Sequence, residues 1–286
     1  TPAMRQYLEA KRQYQDAIVF FRMGDFYEMF YEDALTASRV LELTLTSGSK
    51  DAGGSPIPMC GVPAHAGDGY LSRLVKRGFR VAICEQMDNA KQAKATKKLV
   101  RREVVRVVSP GTLTDTADLD AKEPAFLMAL TSNDLKHGVA LVDLSTGEFT
   151  AAEYFGVDGR QAVADEIKVL RPREVIVSVD VDLRKELPEL EDYQVRVTKV
   201  DGWVFGLDRA RTTLHEQLHA TSLNGFGMEG HPAATMAAGA LLHYLQDTQK
   251  VDLEHVRSIT YRSRADHILI DPVSYTHLTL PTNREV

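Results

Sequence analysis

Two short stretches hold residues whose types and spacing suit chemistry. In RMGDFYEMF, residues 22–30, the aromatic Phe26 stands two positions before the carboxylate Glu28, just past a Gly24-Asp25 break. In an extended segment residues i and i+2 point to one side. Ring and acid would then act on one ligand, the ring by stacking or wedging. The acid would accept a hydrogen bond, or donate one if its pKa is raised. In a regular helix the two would diverge, which places the pair at a strand-to-helix junction. Taken alone, the pair reads more simply as a core aromatic and a first-turn acid favoured by the helix dipole. The second stretch, LVDLSTGEF, carries Asp143, with Glu148 and Glu153 close behind. A metal nuclease needs a divalent ion held by several such groups. Only Asp143 is clearly placed, so an exposed turn acid is the simpler reading.

Other patterns carry less. GFGMEGHP, residues 225–232, spaces two glycines like a P-loop, yet His231 replaces the phosphate-binding lysine and Pro232 the Mg-binding hydroxyl. His215 and His219 are spaced i, i+4, but His137 and His243 complete no convincing ligand set. No metal site is assigned. The run KQAKATKKLVRREVVR, residues 91–106, has seven basic residues and one acid. Such a run supplies salt-dependent, sequence-independent attraction to phosphates, or is simply a solvated face. On the second reading Arg102 and Arg106 sit on a strand away from DNA.

The elements that must position these residues alternate. Thr1-Pro2 forms an N-cap and first helical position, and AMRQYLEAKRQY continues as an amphipathic helix. AIVFFRM is a strand. EMFYEDALTASRVL returns to helical spacing through Met29, Phe30, Ala34, Ala37 and Leu41. ELTLTS alternates like a strand. GSKDAGGSPIPMCGVP has no periodicity and reads as a loop. Its Met59 and Cys60, flanked by prolines, form either a stiff stretch lying against a groove or a rigid structural turn. DGYLSRLVKRG is a helix closed by Gly78, with His65 at its start. FRVAICEQ and VVRVVSPG are strands. After the polar, acidic TLTDTADLDAKEP, HGVALVDLSTGEFTAAEY reads as two strands about a Ser-Thr-Gly turn. Helix DGRQAVADEIKVL, strands REVIVSV and DYQVRVTKV, and helices LDRARTTLHEQL and PAATMAAGALLHYLQDTQ follow. This order fits an α/β domain of ribonuclease-H-like type.

A chain of 286 residues suggests two domains, with 44% hydrophobic and 26% charged residues typical of packed protein. Residues 1–113 hold 17 Lys/Arg against 12 Asp/Glu, and residues 114–286 hold 17 against 28. A basic first part on an acidic chain can face nucleic acid while the rest stays away. Two cysteines, Cys60 and Cys84, make a disulfide framework unexpected and a reducing cytoplasm the default. No apolar run has membrane-span length, and no secretory segment opens the chain. Residues 273–286 break the preceding pattern and read as a cloning-derived tail.

The ordered blocks FFRMGDFYEMF, PIPMCGVPAHA, VAICEQ, VVRVVSPGT and LVDLSTGEF, with the later AAGALLHYLQDTQ and HVRSIT, resemble the N-terminal part of the MutS family of bacterial DNA mismatch-recognition proteins. The resemblance covers residues 1 to about 272. It implies an α/β chain with a mixed-sheet mismatch-binding domain (1–113), a ribonuclease-H-like connector (125–252) joined to it by the polar linker (114–124), and the start of a helical lever domain (253–272), ahead of the tail (273–286). It implies that Phe26 and Glu28 read the mismatch by aromatic insertion and DNA bending. Met23, Arg22, Lys50 and Met59 are further expected DNA contacts, and Tyr27 and Phe30 are assigned to packing. The implied partners are double-stranded DNA with mismatches or small loops, MutL through the connector, and a second copy in the full-length protein. No membrane is involved, and the location is cytoplasmic, with the nucleoid. No catalytic residue and no cofactor are expected in this chain. ATP and Mg belong to a downstream ATPase domain. The competing readings are a nuclease using Asp143 and an interaction scaffold using the acidic second domain.

Overall fold

A computed structural model describes residues 1–50, 53–87, 100–113, 126–132, 135–182, 187, 195–250 and 253–263. The expected linker (114–124), the lysine-rich part of the basic run (91–98) and the tail (273–286) lie outside these residues. The chain divides into two compact units, Thr1–Glu123 with Leu245–Asp252, and Pro124–Tyr244 with Leu253–Val286.

The first unit is a six-stranded mixed sheet in the order β3-β4-β2-β1-β5-β6. Its strands are β1 (Ala17–Met23), β2 (Phe26–Phe30), β3 (Thr46–Lys50), β4 (Pro56–Pro63), β5 (Arg80–Gln86) and β6 (Arg102–Val108). Helix α1 (Pro2–Gln13) follows the expected cap, with Thr1 Oγ1 accepting from Met4 N at 3.3 Å. It covers one face, where Tyr7, Phe21, Phe30, Ile57 and Cys84 pack together. The other face packs against α2 (Tyr31–Leu41) and α3 (Gly67–Lys76) through Phe20, Met29, Ala34, Leu71 and Leu74. Alternation along β1 sends Phe20 to one core and Phe21 to the other.

A buried polar knot fixes α1 and α2 to β1. Asp33, 5% exposed, accepts from Tyr7 Oη (2.8 Å), Lys11 Nζ (2.7 Å) and Val19 N (3.0 Å). Tyr7 also donates to Phe30 O at 2.9 Å, and burial beside Asp33 pushes its phenol pKa far up.

Three expectations are corrected in this unit. Met29 and Phe30 end strand β2 and do not begin the helix. Tyr31 turns the corner with φ 53, a conformation costly for a bulky residue. GSKDAGGSPIPMCGVP is largely strand rather than loop. Prolines 56 and 58 hid it, because proline donates no ladder hydrogen bond. Here they pair with β3 beside a bulge at Ser47/Ser49, and Pro63 ends the strand, positions where proline is tolerated. The strand read in ELTLTS begins later, at Thr46, after Glu42 closes α2 in the left-handed region.

The second unit is also a six-stranded sheet, ordered β11-β10-β7-β8-β9-β12. Strands β7 (Phe126–Ser132), β8 (Lys136–Asp143) and β9 (Glu148–Phe155) form an antiparallel meander. Strands β10 (Glu174–Ser178) and β11 (Arg196–Val200) add in parallel on its β7 side. This is the ribonuclease-H-like layout expected from the sequence. β7 is buried on both faces and so shows no alternation. β12 (Thr260–Tyr261) lies parallel along β9. Helix α4 (Gly156–Leu170) packs on the face carrying Met128, Val139, Leu141 and Val175. Helices α5 (Leu207–Leu218) and α6 (Pro232–Gln249) follow. A Cβ at Gly138 would stand 2.1 Å from Ala233 O, so only glycine admits the start of α6 against β8.

Candidate nucleic-acid interface

The Phe26/Glu28 pair sits on a hairpin. β1 runs to Met23, Gly24 turns with φ 62, and β2 returns antiparallel from Phe26. The register places Phe26 opposite Met23 and Glu28 opposite Phe21 on one side. On the other side Phe26 meets Pro63 and Glu28 meets Gly61 of β4. Gly24 suits this turn because left-handed φ costs glycine nothing. The pair therefore lies inside a strand, two residues short of the helix junction expected. The extended backbone still sends both side chains to the α1 face.

Burial separates the aromatics. Phe26 is 48% exposed, whereas Phe30 on the same face is 8% exposed and packs edge-on to Tyr7. Tyr27 faces the opposite way. It packs on Phe20 and donates to the Glu85 carboxylate. Burial and that carboxylate raise its phenol to about 12. Glu28 is half-buried. Burial pushes its carboxyl pKa above the ordinary value, and the charge of Arg102 pulls part of the way back. Burial disfavours the charged form of an acid, so a raised pKa makes Glu28 able to donate as well as accept.

Glu28, Met23 and Met59 line one cavity of about 230 Å³, with Phe21, Phe30, Gly48, Thr1, Ala3 and Met4. The structure thus groups three of the six expected contacts around a single recess, with Phe26 beside Met23 at the turn. Arg22 faces away. Its Nε donates to Gly24 O at 2.7 Å and its guanidinium lies 5.3 Å from the Tyr27 ring. Lys50 is exposed at the far end of β3, opposite Pro56. The sequence reading missed Gln86, whose spacing to residue 28 carries no periodic signal. It placed Arg102 in a basic run and on a strand, where it is found, but gave it no part in positioning the turn.

The competing sites have structural employment. Asp143 is 4% exposed, which corrects the exposed-acid reading. Its carboxylate accepts from Ser145 N (2.8 Å) and Ser145 Oγ (2.6 Å), closing the β8–β9 turn. Glu153 accepts from Ala233 N (2.6 Å) at the start of α6, and Glu148 is exposed. Among the described residues no group of three His, Cys, Asp or Glu is placed to hold a metal. His215 Nδ1 bonds to Ala220 O, His219 caps α5 in the left-handed region, and His231 stacks on Tyr261. Cys60 and Cys84 are free and buried. Among the described residues no helix is long and apolar enough to cross a membrane.

Known proteins resemble this chain along most of its length. The family model described as MutS domain I matches residues 1–117, and MutS domain II matches residues 125–257. A protein of Solibacter usitatus named DNA mismatch repair protein MutS is 46% identical over 280 residues, covering 98% of this chain and 31% of its own length. Proteins of the same name from Syntrophomonas wolfei and Methanococcoides burtonii are 42% and 39% identical, over 98% and 99% of the chain and 32% of their own lengths. The chain thus spans about a third of the curated relatives it matches. On both domain matches and these identities, the chain belongs to the MutS family.

Proposed function

We propose that this chain recognises mismatched duplex DNA for mismatch repair, with Phe26 as the wedge and Glu28 as the base-edge contact. The observation that carries the reading is a half-exposed phenylalanine at a hairpin tip with a half-buried acid two residues on, on the same face. A ring inserted between base steps unstacks them and kinks the duplex, at a cost of a few kcal/mol per step. A mispaired step resists this less, so deformability itself discriminates. Glu28 then accepts from a base N–H, or donates to a ring nitrogen in its protonated form. Against well-paired DNA its charge repels phosphate, which penalises the wrong ligand.

The remaining assignments follow from family membership. Residues 1–113 act as the mismatch-binding domain and 125–252 as the connector that helps contact MutL, with 253–272 beginning the lever. Met23 and Met59 line the DNA-facing recess, and Lys50 and Arg22 add to the basic surface. The whole protein would act as a homodimer in the cytoplasm, with ATP and Mg bound in an ATPase domain outside this chain. No chemistry on DNA is assigned to the residues present.

The test is titration of a full-length protein carrying these residues against matched and mismatched duplexes at several salt concentrations. Phe26→Ala is expected to abolish the preference for the mismatch while leaving the salt-sensitive general binding. A lowered salt slope, as for a lost phosphate contact, or equal weakening on both duplexes would sink the wedge assignment.

A further inference from the structure

Arg102 belongs to the basic run, yet each of its three nitrogens bonds inside the protein. Its Nε donates to Arg22 O at 2.7 Å, and its Nη1 donates to Val100 O at 3.1 Å. Gln86 stands opposite it in the β5–β6 ladder. With its amide oxygen turned inward, Gln86 accepts from Arg102 Nη2 and from Gly24 N, both at 3.2 Å. One guanidinium therefore holds the carbonyl just before Met23 and, through Gln86, the N–H of the turning glycine. Its carbon also lies 5.2 Å from the centroid of the Phe21 ring, a cation–π distance. Phe21 is the residue that opposes Glu28 in the β1–β2 ladder. Arg102 thus lies over the ring that neighbours Glu28 across the ladder and lines the same recess, on the α1 face of the sheet.

The other groups around Glu28 are few. Thr1, which caps α1 and carries the chain's α-amino group, lines the same cavity, as do Gly48 of β3 and Met59 of β4, which do not titrate. From β5, Cys84 is a buried thiol raised to about 12, and Glu85 is engaged with Tyr27 on the opposite face. Arg22 is turned to that opposite face as well. On β6, Glu103 is exposed and alternates away from Arg102.

We propose that Arg102 is the positioning residue of the mismatch-reading site, holding the turn that carries Phe26 and acting on Glu28 across the Phe21 ring. This rests on the Phe26/Glu28 reading above and deepens it. A phosphate-contacting arginine would present its fork outward, whereas this one is committed to Arg22 O, Val100 O and Gln86. Removing its charge leaves Glu28 with desolvation unopposed, so the carboxyl holds its proton to higher pH.

The test reads Glu28 directly, without DNA, by carboxyl-carbon NMR titration of the chain. Arg102→Gln is expected to move the Glu28 midpoint upward. Arg102→Lys is expected to leave it near the parent value while shifting the Gly24 and Asp25 amide signals, because charge is kept and the fork is lost. An unchanged midpoint in Arg102→Gln, or an equal shift in Arg102→Lys, overturns the proposal. If Arg102→Gln does not fold, the parent supplies the reading. The Arg102 Nε–H resonance should inflect at the Glu28 midpoint and lose that inflection in Glu28→Gln, and a flat resonance overturns the coupling. In the full-length protein, Arg102→Gln should extend mismatch preference to higher pH, and an unmoved pH profile overturns the specificity role. Coupling intact in the free chain without any mismatch preference would overturn the function reading alone.

Discussion

Phe26 stands directly opposite Met23 across the Gly24-Asp25 turn, so the hairpin carries its half-exposed ring at its tip while Phe30, four residues on, is buried against Tyr7. The two rings share a face of β2 and differ in what covers them.

That difference is measurable in stability. Phe26→Ala should cost less than about 1 kcal/mol in chemical denaturation, as for other poorly covered side chains. Phe30→Ala should cost about 3–5 kcal/mol, the usual range for a buried phenylalanine. If Phe26→Ala proves as destabilising as Phe30→Ala, Phe26 is a core residue and the wedge assignment fails.

Glu28 gives a pH signature of defined sign. Its folded pKa is raised from the ordinary 4.5, so the folded state holds this proton more tightly than the unfolded state. By linkage the group's contribution falls as pH rises from the unfolded value through the folded one. Glu28→Gln should therefore raise the melting temperature at neutral pH. The gain should disappear once the pH lies below 4.5 and the parent carboxyl is protonated in both states. An equal gain at both pH values would show that the effect is not ionic. On DNA the same substitution should tighten binding to matched duplex.

The knot at Asp33 should be the weak point of the first unit. Asp33→Ala removes the carboxylate shared by Tyr7 Oη, Lys11 Nζ and Val19 N, leaving Tyr7 only Phe30 O and Lys11 only Ala17 O. Breaking a buried ionic network by removing one partner costs about 3–5 kcal/mol. Denaturation followed at Trp203, which lies in the second unit, should change little, while far-UV melting of the first unit should move to lower temperature. A single unchanged transition by both probes would contradict this.

Asp143 separates the nuclease reading from a structural one. Asp143→Ala should lower stability by about 1–3 kcal/mol, because Ser145 loses both of its bonds to the carboxylate. Duplex DNA incubated with the parent chain and Mn²⁺ should remain intact. Cleavage that Asp143→Ala abolishes would restore the nuclease reading.

Much of this was legible in the amino-acid order because the cues are local. Thr1-Pro2 sets a helix start, Gly24 and Gly78 set turns, and LVDLSTGEF sets a hairpin, each through backbone preferences of a few adjacent residues. The i, i+2 relation of Phe26 and Glu28 needed only an extended backbone. Strand β4 escaped because its prolines remove the donors by which strands are usually judged, and the bulge that admits them belongs to the pairing with β3. β7 escaped because burial on both faces erases alternation. Which ring is covered, which acid is buried, and that Arg102 reaches Arg22 O across 80 residues depend on sheet order. Sheet order is set by the pairing of distant strands, β1 between β2 and β5 and β6 beyond, and no short window of residues encodes it.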